Sequence, residues 1–109
     1  MISADAIRGY VDIMILSILE RQASHPYELV KTIARVSRGE YVIKQTTLYS
    51  AVKRLESQGL VDSRPGVSES GKPRTYYRIT AAGNEYLRAK CEEWQATKAV
   101  VDRFVKGQK

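Results

Sequence analysis

From Tyr10 to Leu19 the chain is apolar at nearly every position, with Val11, Ile13, Met14, Ile15, Leu16 and Ile18 interrupted only by Asp12 and Ser17. Residues 7–20 read as a helix, because the run is longer than a typical strand and its polar residues do not alternate. A helix that is apolar almost all round has to be covered on several sides. A chain of 109 residues can do this once, since two domains would each be too short to bury a core. The run falls well short of the roughly 20 apolar residues that a membrane span needs. No basic region precedes it, as one would in a signal peptide. The single cysteine, Cys91, can form no internal disulfide and can supply little of a zinc site. A reducing cytoplasm is the expected location, with no membrane partner.

Three further helices and one hairpin follow from local signals. Ser24-His25-Pro26 marks a helix start, since proline is tolerated in a first turn and Glu28 suits the positive helix end. Tyr27, Leu29, Val30, Ile33, Ala34 and Val36 carry that helix forward to a stop at Gly39. Tyr41-Val42-Ile43 is a short extended piece. Thr46 or Thr47 is expected to cap a third helix that buries Leu48, Ala51, Val52 and Leu55 and ends at Gly59. Extended segments at 60–64 and 75–79 flank a turn-rich stretch closed by Lys72 and Arg74, which predicts a β-hairpin with a basic tip. Alternation in that hairpin sends one of Tyr76 and Tyr77 inward, and Tyr77 is assigned the buried place. Thr80 caps a last helix from Ala81 to about Lys106, about 40 Å long at 1.5 Å per residue. It is too long for so small a core, and Gly107, Gln108 and Lys109 form a polar end that frays.

The order helix, helix, short strand, helix, strand, basic turn, strand is that of a winged helix-turn-helix. The fold class is therefore mainly α with a small β-hairpin, with a long C-terminal helix added. The outer face of the third helix combines Tyr49, Ser50, Lys53, Arg54 and Ser57, with Glu56 as its only acid. A helix of that size with a polar, cationic face fits the major groove, and a basic hairpin tip can lie on the adjoining backbone. Between Lys44 and Arg78 seven Lys/Arg stand against three Asp/Glu, so four of the six net positive charges lie in this unit. Such a balance favours a polyanionic partner. The bland alternative for Lys53 and Arg54 is a solvated helix face, with Lys53 paired to Glu56 three residues on. His25 is expected as a cap or surface residue and Cys91 as a buried, inert one. No nucleophile set, phosphate loop or carboxylate pair suggests an enzyme, and no metal or cofactor is implied.

These residues carry a resemblance. Thr47-Leu48-Tyr49-Ser50-Ala51-Val52-Lys53-Arg54-Leu55-Glu56 followed by Gly59-Leu60 resembles the third-helix signature of the PadR family of bacterial transcriptional regulators. Arg8-Gly9-Tyr10-Val11-Asp12, His25-Pro26-Tyr27-Glu28-Leu29 and the stretch from Gly71 to Gly83 resemble its first helix, second helix and wing, in that order. The family often has Gly where Thr46 stands and Pro where Ser50 stands. The resemblance implies a winged helix-turn-helix over residues 1–80 and a dimerisation helix over 81–109, in one compact unit. It sets Thr47, Tyr49, Ser50, Lys53 and Arg54 against double-stranded DNA from the third helix, with Lys72 and Arg74 on the wing and Tyr76 near its base.

The last helix exposes more apolar surface than its own domain covers, so a homodimer is expected through Val11, Ile15, Leu87, Cys91, Trp94, Val101, Phe104 and Val105. Trp94 keeps two readings, as a plain interface residue or as the wall of a ligand pocket. The second comes from the resemblance to multidrug-responsive relatives, which implies a flat aromatic cation or phenolic effector, with Met14 or Val101 lining the walls. The function implied is a repressor of a palindromic site, released by a small molecule. A protein-interaction adaptor without specific DNA binding is the alternative.

Overall fold

The chain turns twice before its first long helix, once as a helical turn at Ala4–Ile7 and once as a 3-10 turn at Arg8–Tyr10. The structure, a computed structural model, describes Ile2 and residues 4–107. Gln108 and Lys109, expected to fray, lie outside the described residues. The single helix expected over 7–20 is therefore shorter at its start, and α1 runs Val11–Arg21. Gly9 is a poor helix former, and Tyr10 closes the 3-10 turn with a stretched right-handed backbone, at φ −117° and ψ −1°, and its ring set against Trp94.

α1 is the hub. Val11, Ile15, Leu16 and Leu19 are buried, Ile15 and Leu16 completely (0% exposed). The helix touches all three other long helices, α2 (Pro26–Val36), α3 (Gln45–Ser57) and α4 (Ala81–Val105), and the hairpin strand β2 (Pro73–Ile79). This is the cover that an all-round apolar helix requires.

α2 opens with Pro26 at its first position, and Nδ1 of His25 stands in the capping position, 3.2 Å from the Glu28 N–H. At its far end Gly39 N–H donates to the Ala34 carbonyl and Arg38 N–H to that of Arg35. The stop expected at Gly39 thus spans two left-handed residues, since Arg38 (φ 56°) precedes Gly39 (φ 78°). Tyr41 and Ile43 are buried without joining a strand. The hairpin finds its third backbone partner in Ser24 instead: Ser24 N–H donates to Tyr77 O at 3.0 Å and Tyr77 N–H to Ser24 O at 2.7 Å.

α3 does not start at a threonine cap. Lys44 is the last extended residue and makes no side-chain cap, while Thr46 and Thr47 stand exposed in the first turn. Burial of Tyr41 and Ile43 fixes how the chain enters this helix, and that outweighs the roughly 1 kcal/mol of a hydroxyl cap. Leu48, Ala51, Val52 and Leu55 face inward as expected. Gly59, at φ 77°, ends the helix, with Leu60 N–H donating back to the Leu55 carbonyl.

β1 (Val61–Val67) pairs antiparallel with β2, from Val61 opposite Ile79 to Val67 opposite Pro73. Both strands run further toward the tip than expected, leaving Ser68 to Lys72 as the turn. Thr80 caps α4 through the Gly83 N–H at 3.0 Å, and its own hydroxyl donates to the Gly59 carbonyl at 2.7 Å. Past Cys91 the helix leaves the core, and Phe104 and Val105 are 79% and 76% exposed. Among the described residues no helix is long and apolar enough to cross a membrane.

The joint between wing and α4 has no spare volume. A Cβ on Gly83 would overlap the Leu60 carbonyl oxygen and the Ile79 side chain. Gly83→Ala is therefore expected to lower stability by about 1–3 kcal/mol, the usual cost of overpacking, read as a lower urea midpoint. An unchanged midpoint would show that the joint can open.

Candidate nucleic-acid interface

α3 turns its apolar side to the core, which leaves Thr46, Thr47, Tyr49, Ser50, Lys53, Arg54 and Ser57 on its exposed side. Lys53 Nζ lies 5.9 Å from the centre of the Tyr49 ring and 3.3 Å from Glu56 Oε1, the pairing anticipated from their spacing. Glu56 also accepts from the Ser63 hydroxyl of β1 at 2.7 Å. Those two bonds, Ser63 first and Lys53 second, hold its carboxyl below the ordinary range. The exposed Lys53–Glu56 pair is easily exchanged for another partner, because such surface pairs are worth little.

Arg54 is engaged elsewhere. Its guanidinium makes a bidentate pair with Asp12 of α1, at 2.7 and 2.9 Å. Thr47, Ser50 and Arg54 line an open cleft of about 570 Å³ that continues onto Ile7, Arg8, Val11 and Tyr41.

On the wing, Lys72 is exposed at the tip. Arg74 reaches back, with Nη1 2.9 Å from Nε2 of His25. The half-buried Tyr76 ring meets the same imidazole edge-on at 5.4 Å, and Tyr77 is buried as expected. Arg78 pairs with Asp62 across the hairpin at 2.8 Å. Lys44, Arg64 and Lys72 make no ion pair among the described residues and stand exposed.

Tyr49 of α3 and Arg74 of β2 share a cleft of about 280 Å³ with His25, Pro26, Tyr27, Gln45 and Thr75. The start of α2, the start of α3 and the wing thus meet at one concave surface. Of its residues, Tyr27 was read from sequence only as one of the apolar residues that carry the second helix, and Gln45 was not singled out. Tyr27 stands exposed in the first turn of α2 and not in its apolar stripe. Gln45 had no signal in the sequence, because its place depends on where α3 starts.

The residues assigned to the dimer contact divide in two. Ile15 is fully covered inside its own protomer and Val11 and Leu87 nearly so, which leaves them no surface to offer a partner. Their apolar character is spent on the core of their own protomer. Cys91 is half-buried against the same core, whereas Trp94 (37% exposed), Val101, Phe104 and Val105 remain open. Trp94 packs against Tyr10 with ring centres 5.0 Å apart and planes at 64°. These rings border an open cleft of about 390 Å³ with Ala6, Gly9, Ile13, Lys90, Glu93 and Thr97. Met14 and Val101 do not line it: Met14 packs on the core, and Val101 lies a helical turn beyond Thr97.

The family model for the transcriptional regulator PadR-like family matches residues 15–89. The chain is similar to a transcriptional regulator from Clostridium thermocellum, Cth-833, at 51% identity and a TM-score of 0.88, over 96% of this chain and 99% of that one. A PadR family transcription regulator from Clostridium difficile R20291 is 38% identical with a TM-score of 0.77, over 88% of this chain and 98% of that one. The transcriptional regulator YqjI of Escherichia coli K12 is 32% identical over 85 residues. That match takes in 78% of this chain but only 39% of YqjI, so the chain spans well under half of that relative. With a winged helix, a polar and cationic α3 face and a family match over most of its length, the chain belongs to the PadR-like family of transcriptional regulators, DNA-binding proteins rather than enzymes.

Proposed function

We propose that the chain acts in the cytoplasm as a homodimeric repressor of a palindromic promoter site, reading DNA with residues 1–80 and assembling through residues 81–109. The observation that carries this is the shared cleft of Tyr49 and Arg74, with Lys53 beside it on α3 and Lys72 on the wing tip. In this reading Thr47, Tyr49, Ser50 and Lys53 meet base edges and phosphates in the major groove, while Lys72, Arg74 and Tyr76 meet the adjoining backbone. Arg54, held by Asp12, fixes the angle of α3 against α1 and gives phosphate its outer edge.

Trp94, Val101, Phe104 and Val105 form the self-association surface, continued by the exposed Val100. A two-fold dimer sets two α3 helices about 34 Å apart, one turn of DNA. The cleft beside Tyr10 and Trp94 suits a flat aromatic effector, which would relieve repression by favouring a dimer with wrongly spaced α3 helices.

Selection from a random duplex library at physiological salt is the direct test. A palindromic winner bound about 1000-fold or more over a scrambled duplex is expected, within the range of specific regulators. Tyr49→Ala and Lys53→Ala should each weaken that site about tenfold. Lys72→Ala should lower affinity for any sequence and flatten the salt dependence by about one phosphate contact, a slope of about 0.9. Binding of DNA that stays weak and unselective at physiological salt would favour the protein-interaction adaptor.

A second expectation concerns assembly. The double variant Val101→Asp with Phe104→Asp should sediment as a monomer with a nearly unchanged urea midpoint, because both side chains lie outside the protomer core. A dimer that persists in this variant would remove α4 from the interface.

A further inference from the structure

His25 is buried between three elements and faces two hydrogen-bond donors at once. Its Nδ1 lies 3.2 Å from the Glu28 N–H, in the capping position, and its Nε2 lies 2.9 Å from Nη1 of Arg74. A neutral imidazole carries one N–H and one lone pair, and a guanidinium can only donate. One lone pair therefore serves two donors, and both bonds cannot be made together. Two aromatic rings flank it in this orientation. Tyr27 stacks along it, with centres 6.5 Å apart and planes 7° apart, and Tyr76 stands edge-on at 5.4 Å. The backbone beside it is pinned by the paired hydrogen bonds of Ser24 and Tyr77. The remaining freedom is which nitrogen carries the proton.

We propose that His25 is a positioning residue for the wing: it holds Arg74 in the free protein, and when a DNA phosphate takes Arg74 its proton moves from Nδ1 to Nε2 and the ring returns to capping α2. The idea rests on the DNA-binding reading above for its second half only. In the free protein the charge-assisted contact, also the shorter, takes the lone pair. Nδ1 then carries the proton and the Glu28 N–H goes uncapped. A phosphate offers Arg74 a full negative charge and two oxygens, a better acceptor than a neutral ring. Arg74 is only half-buried and opens onto the cleft that it shares with Tyr27, Gln45 and Tyr49, so it has a path outward. Once it leaves, water exchanges the proton from Nδ1 to Nε2 with no net gain or loss, and Nδ1 accepts from Glu28. Seating the wing thereby firms the start of α2.

Acid should break whichever contact holds the lone pair, because the imidazolium has an N–H at each nitrogen and accepts nothing. The charged groups facing the ring are Arg74 from β2 and Glu28 and Lys31 from α2, with the phenols of Tyr27, Tyr49, Tyr76 and Tyr77 around it. Burial first, then Arg74, hold its pKa below the usual 6.5 against the pull of Glu28. The unfolded chain then takes the proton first. The stability tied to His25 is therefore complete above about pH 6.5 and is lost as pH falls through the lower folded value.

His25 is the only histidine, so long-range proton–nitrogen correlation spectra of the untagged, labelled chain report on it without ambiguity. In the free wild type the protonated nitrogen should be Nδ1, and in Arg74→Ala it should be Nε2. The same tautomer in both would overturn the proposal, whether or not the protein binds DNA. Next, a 24-base-pair duplex of mixed sequence is added at low salt, with binding followed by fluorescence anisotropy. Bound wild type should take on the Arg74→Ala pattern, and a bound complex that keeps Nδ1 protonated would overturn the phosphate-driven step. A chain that binds no duplex at all would instead overturn the DNA-binding reading, with the free-protein pair still deciding whether His25 holds Arg74. Arg74→Ala should also lose less stability than wild type between pH 7 and 5, because the second cause of the lowered pKa is gone.

Discussion

Two backbone hydrogen bonds between Ser24 and Tyr77 decide where the wing stands. A two-stranded hairpin is marginal by itself and must lean on something. Here it leans on the loop between α1 and α2, and the Tyr77 ring is driven into the core at the same point. One residue away on each strand of this bridge lie His25 and Tyr76, so the ring cluster at the mouth of the cleft shared by Tyr49 and Arg74 follows from the bridge. The tip, Ser68 to Lys72, lies at the opposite end of the ladder and is left to reach outward.

Polar links then join elements that the core alone would let slide. Asp12 and Arg54 tie α1 to α3, Glu56 and Ser63 tie α3 to β1, and Thr80 ties α4 back to the end of α3 through the Gly59 carbonyl. Each is exposed or partly so and contributes little stability. Their effect is on geometry: they fix the angle of the α3 face while burial of Leu48, Val52 and Leu55 fixes its depth.

Much of this was legible from residue order. Apolar spacing gave the buried side of α3, positive-φ glycine gave its end at Gly59, Thr80 gave the start of α4, and alternation chose Tyr77 over Tyr76. What escaped was governed by contacts distant in sequence. The Asp12–Arg54 pair spans 42 residues and the His25–Arg74 contact 49, and no local pattern links either pair. Val11 and Ile15 show a related gap. A sequence reveals that a helix is apolar all round, but not which neighbour consumes each side, and here the protomer itself consumes the sides that a partner was expected to cover. The start of α3 at Gln45 was missed because buried Tyr41 and Ile43, not a capping hydroxyl, determine where the coil ends.

The crowded joint at Gly83 makes α4 the arm of a lever whose fulcrum is the wing. With the Leu60 carbonyl against Gly83 and Thr80 bonded to Gly59, the helix cannot swivel at its root without carrying the hairpin and the end of α3 along. Twenty-five residues make an arm of about 37 Å. A rotation of about 5° at the root thus displaces the far end by roughly 3 Å, less than the width of one side chain. Read in reverse, in the proposed dimer a change of a few ångströms at the far ends of the two arms would tilt each winged helix by several degrees, without any bond inside it being broken.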